Sequence, residues 1–104
     1  MKRLFLLEDD LSLINGLSFA LKKQGYEIIV ARTTLEADAL WGKGEYDLAV
    51  LDVSLPDGCG FDFCRKIRLT SKVPIIFLTA ADEETDIIIG LAIGGDDYIT
   101  KPFK

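Results

Sequence analysis

Four short strand-like runs that stop abruptly on a carboxylate, a hydroxyl or an amine constrain this chain more than any other feature. Leu4-Phe5-Leu6-Leu7 runs into Glu8-Asp9-Asp10, and Leu48-Ala49-Val50-Leu51 runs into Asp52. Ile75-Ile76-Phe77-Leu78 ends on Thr79, and Tyr98-Ile99-Thr100 ends on Lys101. Short apolar runs without alternation read as strands buried on both faces of a parallel sheet. In an open sheet of that kind, ligands bind outside the carboxyl ends of the strands. Several acids, one hydroxyl and one amine are therefore expected along a single edge. Clustered carboxylates repel one another unless a cation joins them, and the hard, oxygen-seeking Mg2+ is the expected ion, with Mn2+ as its substitute.

Between these runs the pattern is helical. Leu11, Ile14, Leu17 and Leu21 form one stripe, with Asp10 or Ser12 to cap it, Lys22-Lys23 suited to its negative end and Gly25 to stop it. Tyr26 to Val30 reads as a second strand. Thr33 and Glu36 have capping-box spacing and open a helix through Ala37, Leu40 and Trp41 that closes near Gly42 or Gly44. Tyr46 to Leu51 reads as the third strand, and Pro56-Asp57-Gly58-Cys59-Gly60 as a turn-rich loop. Phe61, Cys64 and Ile67 mark a third helix, and Val73 to Leu78 a fourth strand. Asp82 caps a fourth helix running to about Ile93, and Asp97 to Thr100 makes a fifth strand. The expected fold is a doubly wound α/β domain with a five-stranded parallel sheet in the order 2-1-3-4-5.

At 104 residues and 49% hydrophobic composition, the chain suits one small domain with a real core. Its net charge of −5 argues against direct binding to nucleic acid or to an anionic membrane. No apolar run approaches the roughly 18 residues of a membrane span, and no leader follows Lys2-Arg3, so the expected compartment is the cytoplasm. There is no histidine, which removes Ser-His and Cys-His catalysis and leaves Cys59 and Cys64 without zinc partners. Both cysteines read as reduced and structural.

The order 2-1-3-4-5 puts its switch point between strands 1 and 3, where Glu8, Asp9 and Asp52 lie. A carboxylate there can attack phosphorus and form an acyl phosphate. Lys101 would hold a phosphoryl oxygen as a point charge, and the Thr79 hydroxyl would donate to another. Phosphoryl transfer depends mainly on such positioning and charge stabilisation.

These segments resemble the receiver domain of bacterial two-component response regulators. The resemblance rests on Leu6-Leu7-Glu8-Asp9-Asp10, Leu51-Asp52-Val53-Ser54-Leu55-Pro56-Asp57-Gly58, Phe77-Leu78-Thr79-Ala80 and Gly95-Asp96-Asp97-Tyr98-Ile99-Thr100-Lys101-Pro102-Phe103. They occur in order along the whole chain, and jointly they are specific. The resemblance implies a flavodoxin-like fold. It implies Asp52 as phosphoacceptor, Asp9 as a direct Mg2+ ligand, Glu8 acting on the ion through water, and the Ser54 backbone carbonyl as a further ligand. It implies Thr79 and Lys101 as phosphoryl contacts and Tyr98 as an aromatic switch that turns inward with Thr79. Asp10 falls outside the acidic pair and reads as a helix cap.

The same resemblance implies a sensor histidine kinase as phosphoryl donor and an output domain as effector. The Asp96-Asp97-Tyr98 segment resembles the branch carrying a winged-helix DNA-binding domain (OmpR/PhoB type), whose receivers pair through helix 4, strand 5 and helix 5. The expected domain spans residues 1–104 and is truncated after strand 5, without its final helix or output domain. Self-association through helix 4 and strand 5 is expected; Ile87-Ile88-Ile89 are too many consecutive apolar residues to face one core, so one of them either packs against the missing fifth helix or belongs to a partner surface, two compatible readings. A cis peptide between Lys101 and Pro102 is a further expectation from the resemblance.

Simpler readings exist for each residue taken alone. Glu8-Asp9-Asp10 suits a solvated helix start, Thr79 an ordinary strand-end hydroxyl, Lys101 a surface lysine, Tyr98 a half-buried strand aromatic and Gly58-Cys59-Gly60 a turn. A metal-dependent phosphatase using Asp52 as nucleophile would want a second acid two residues later, where this chain has Ser54. A flavodoxin-like cofactor module would want a loop rich in Ser, Thr and Gly after strand 1, where three acids would repel a phosphate.

Overall fold

Alternation along the first strand, β1 (Arg3–Leu7), shows how the sheet is buried on both sides. Leu4 and Leu6 enter one apolar cluster while Phe5 and Leu7 enter another, and none of the four is more than 2% exposed. Fully burying a side chain of this size contributes about 1.5–3 kcal/mol, so a strand of four such residues is fixed chiefly by packing. The computed structural model describes residues 2–80 and 94–101, with 79–80 and 97–101 as backbone.

Helix α1 (Leu11–Lys23) follows, capped by the Asp10 carboxylate, which accepts the Ser12 and Leu13 N–H groups at 2.9 and 3.3 Å. It closes at Gly25, whose φ of +91° lies in the left-handed region that glycine enters without steric penalty. Strand β2 (Glu27–Ala31) leads to helix α2 (Thr34–Trp41). Thr33 Oγ1 accepts the Glu36 N–H at 3.1 Å, and Glu36 reaches back to accept the Arg32 N–H at 3.0 Å. The expected capping box is thus formed, with the return bond one residue before the cap.

Strand β3 (Leu48–Asp52) precedes a two-residue hairpin, β4 (Ser54–Leu55) and β5 (Gly58–Cys59), and then helix α3 (Gly60–Arg68). Strands β6 (Ile75–Ala80) and β7 (Asp97–Lys101) complete the main sheet. Its order is β2-β1-β3-β6-β7 with every pairing parallel, which is the expected 2-1-3-4-5 arrangement. The α2 and α3 side is filled by Phe5, Leu7, Leu51, Phe61, Phe63, Cys64, Ile67 and Phe77, and the α1 side by Leu4, Leu6, Ile14, Val50 and Leu78.

Several local expectations shift. Leu11 is 54% exposed, and Leu13 joins Ile14, Leu17 and Leu21 on the sheet instead, because helical spacing sets the period of an apolar stripe and not its phase. Tyr46 lies before β3: its ring stacks on Trp41 at 4.8 Å and meets Phe5 at 5.0 Å, and its hydroxyl donates to the Leu40 carbonyl at 3.0 Å. The segment after Asp52 contains a small antiparallel hairpin where a plain loop was expected.

At the opposite end of the sheet, Arg68 ties α3 to the entry of β7. Its guanidinium donates to the carbonyls of Gly94 (2.7 and 3.0 Å), Val73 (2.7 Å) and Ser71 (3.3 Å), and pairs with Asp96 at 3.1 Å. The same Asp96 oxygen accepts the Ile75 N–H at 2.7 Å. That bond explains why β6 begins at Ile75, two residues later than the expected Val73. The expected fourth helix, Ile87-Ile88-Ile89 and the Lys101–Pro102 peptide lie outside the described residues.

Candidate functional site

Register brings the acids together. Leu7 pairs with Leu51 across β1 and β3, so the next residues, Glu8 and Asp52, leave neighbouring strands at the same height. Both ends are pinned: the Glu8 N–H donates to the Ala31 carbonyl at 3.0 Å, and the Val53 N–H to the Leu78 carbonyl at 3.1 Å. One carboxylate oxygen from each of Glu8, Asp9 and Asp52 falls within 4.8 Å of the others.

The three differ in setting. Glu8 is fully buried, and its Oε2 accepts the N–H groups of Asp9 (2.8 Å) and Asp10 (3.2 Å), which fixes the turn leaving β1. Asp52 is 4% exposed. Asp9 is half-buried. Asp10 is exposed and occupied in capping α1, as expected. Two unit charges this close repel by roughly 3 kcal/mol at an effective dielectric near 20, so three ionised acids favour a cation between them. All donors are carboxylate oxygens, the set suited to a hard divalent ion. The residues therefore fit a divalent metal, and Glu8, Asp9 and Asp52 would hold it.

The other expected participants lie along the same edge. Asp52 pairs with Leu78 in β6, so Thr79 follows directly, and Thr79 and Ala80 pair with Thr100 and Lys101 of β7. The backbone thus brings Thr79 and Lys101 to the carboxyl ends of adjacent strands. Tyr98 pairs with Phe77 lower in β7. Ser54 opens the hairpin two residues after Asp52, with an exposed side chain.

Three residues at the site have partners that the sequence does not indicate. The Arg32 guanidinium, from the loop before α2, donates to the Asp9 backbone carbonyl at 3.1 Å. Asp57, read as a turn residue, accepts the N–H groups of Thr34 and Leu35 at 2.8 and 3.1 Å and so ties the hairpin to α2. Gly60 sits against the backbone of Asp52 itself. A capping-type acid beside a glycine hints at Asp57, but its partner lies too far along the chain for any local pattern to identify.

The family profile described as "Response regulator receiver domain" matches residues 4–104. The "Sensory transduction protein RegX3" of Mycobacterium tuberculosis is 40% identical over 104 residues, covering 100% of this chain and 46% of the relative. The "Transcriptional regulatory protein AfsQ1" of Streptomyces coelicolor is 41% identical over the same length, again covering 46% of that protein. The chain thus spans about half the length of these curated relatives. A crystal structure of a two-component response regulator from Clostridium difficile superposes with a TM-score of 0.95 at 32% identity, covering 100% of this chain and 86% of that one. The chain belongs to the response regulator receiver domain family.

Proposed function

We propose that this domain accepts a phosphoryl group on Asp52 and uses it to switch an output. The convergence of Glu8, Asp9 and Asp52 at the carboxyl edge of the sheet carries this reading. Glu8, Asp9 and Asp52 would hold Mg2+, whose positive charge would offset the three acids and the incoming phosphoryl group. An Asp52 carboxylate oxygen attacks phosphorus, forming a C–O–P link. The bond from phosphorus to the leaving group breaks, its electron pair departs with that group, and solvent supplies the proton. Half-buried Asp9 would hold the ion directly, while buried Glu8 holds the turn and would act on the ion through water. The Ser54 backbone carbonyl would be a further ligand. Thr79 and Lys101 take the phosphoryl oxygens, and Tyr98 follows Thr79 inward, so the added charge biases two states of the β6–β7 side.

The donor in this reading is a sensor histidine kinase, and the acyl phosphate is lost slowly by self-catalysed hydrolysis rather than turned over. The output is a DNA-binding domain of the OmpR/PhoB type in a longer cytoplasmic protein, with pairing of receivers through the fourth helix expected from the sequence and β7. The receiver itself makes no nucleic acid or membrane contact. Among the described residues no helix is long and apolar enough to cross a membrane.

The test is intact mass after incubation with acetyl phosphate. One added phosphoryl group is expected with Mg2+ or Mn2+, none with chelator and none on Asp52→Asn. Equal labelling of Asp52→Asn would overturn the assignment.

A further inference from the structure

We propose that Gly60 is a positioning residue for this site: the space left by its missing side chain sets where the Asp52 carboxylate stands relative to Glu8 and Asp9. The inference rests on the reading of those acids as a cation and phosphoryl site. A Cβ on Gly60 would overlap the Asp52 carbonyl oxygen, and it would lie 3.0 Å from the carbonyl carbon and 3.4 Å from Val53 Cα. All three are backbone atoms, so no side-chain rotation relieves the clash. Gly60 has no positive φ, unlike Gly25 and Gly94, so the position demands room rather than an unusual conformation.

The surroundings decide what yields. Gly60 is the first residue of α3, and its N–H donates to the Val53 carbonyl at 3.0 Å, so it contacts both Asp52 at the end of β3 and Val53 just after it. The helix cannot slide outward, because Phe61, Phe63, Cys64 and Ile67 are all in the core. The strand is held on its other side by the Val53–Leu78 bond. A methyl group at position 60 therefore displaces the Asp52 peptide and its carboxylate. Gly58 makes a contrasting control in the same hairpin: a Cβ there meets only side-chain atoms of Thr34, the nearest at 3.1 and 3.3 Å, and no backbone atom of the acid-bearing strand.

The experiment compares Gly60→Ala with Gly58→Ala and wild type, reading Mg2+ dissociation constants from the Asp9 and Asp52 amide shifts, phosphoryl uptake by mass, and urea midpoints. Gly60→Ala is expected to weaken Mg2+ binding about tenfold or more, the scale of lost outer-shell support, whereas Gly58→Ala stays close to wild type. A lower urea midpoint with wild-type Mg2+ affinity would mean that Gly60 is merely structural and would overturn the proposal. Should Gly60→Ala not fold, wild type decides: its Gly60 amide should shift with Mg2+ at the Asp52 dissociation constant while Gly58 stays still, and a silent Gly60 overturns the proposal. Wild type that binds Mg2+ but takes no phosphoryl group would sink the phosphoacceptor reading and leave the Gly60 result standing. Wild type that binds no Mg2+ would remove the site and this inference with it.

Discussion

The carboxylate of Asp57 caps a helix 23 residues away from it in sequence, accepting the Thr34 N–H at 2.8 Å through Oδ1 while Oδ2 takes the Leu35 N–H at 3.1 Å. The first N–H groups of a helix have no partner within it, and an anion there also meets the positive end of the helix dipole. The hairpin that follows Asp52 is thereby fastened to α2.

Asp57→Ala should lower the urea midpoint at pH 7, and Asp57→Asn, which retains one acceptor, should lower it less. The Thr34 N–H bond, with help from Leu35, holds the Asp57 carboxyl below its ordinary value. A folded pKa below the unfolded one gives stability that is full above about pH 4 and is lost as the pH falls through the depressed folded value. The gap between wild type and Asp57→Ala should therefore close in acid. A gap that is constant from pH 7 to pH 2 would show that the charge is irrelevant to the cap.

Arg68 makes a second long-range tie, and its planar fork meets Gly94, Val73 and Asp96 at once. Arg68→Ala leaves part-buried carbonyls without these donors, at a cost of about 1–3 kcal/mol. Arg68→Lys should recover little of this, since an ammonium is a point charge and cannot span the same acceptors. Urea midpoints of the two variants, with hydrogen exchange at Ile75 and Asp96, check both statements.

Phe5 is the hub of the aromatic cluster, with ring centroids 5.1 Å from Trp41, 5.0 Å from Tyr46 and 5.8 Å from Phe63. Phe5→Ala should cost about 3–5 kcal/mol, by lost transfer energy and by the cavity left behind. Trp41 packs on the same ring, so its emission should report the loss directly. An unchanged emission spectrum together with a small loss would mean that the cluster is not continuous.

Cys64 is fully buried in the core, and burial pushes its thiol upward from the ordinary value. Cys59 is half-buried at the start of α3. In the folded protein one thiol, Cys59, should react with a disulfide reagent, and Cys64 only after unfolding. Fast reaction of both in buffer would contradict the packing.

The sheet was legible because its strands are short apolar runs, and their polar ends marked one edge. Asp10 and Thr33 were legible as caps because capping is a local pattern. Tyr46 was misread as strand because an aromatic beside an apolar run fits either a ladder or a side-chain stack, and only the position of Trp41 and Phe5 decides. Leu11 was misread because helical spacing fixes the period and not the phase of a stripe. Asp57, Arg32 and Arg68 act on backbone groups brought near by the parallel crossovers, and Gly60 on the strand end just before its own hairpin; such contacts leave no periodic trace in the chain.

The acids themselves should separate in a Mg2+ titration. Asp9 is half-buried and is the most exposed of the three acids that meet at the strand ends, so Asp9→Ala should weaken Mg2+ binding strongly with little change in urea midpoint. Glu8 is fully buried, and its Oε2 holds the N–H groups of Asp9 and Asp10. Glu8→Ala leaves those donors unsatisfied and should destabilise the fold by about 1–3 kcal/mol, with a smaller loss of Mg2+ affinity than Asp9→Ala causes. Binding should be weak in wild type too, since Mg2+ keeps several waters as ligands. Amide shifts at residues 8–10 and 52, followed to millimolar Mg2+, give the affinities, and urea midpoints give the stabilities. If Glu8→Ala weakens binding more than Asp9→Ala at equal folded fraction, Glu8 is the direct ligand and the two roles must be exchanged.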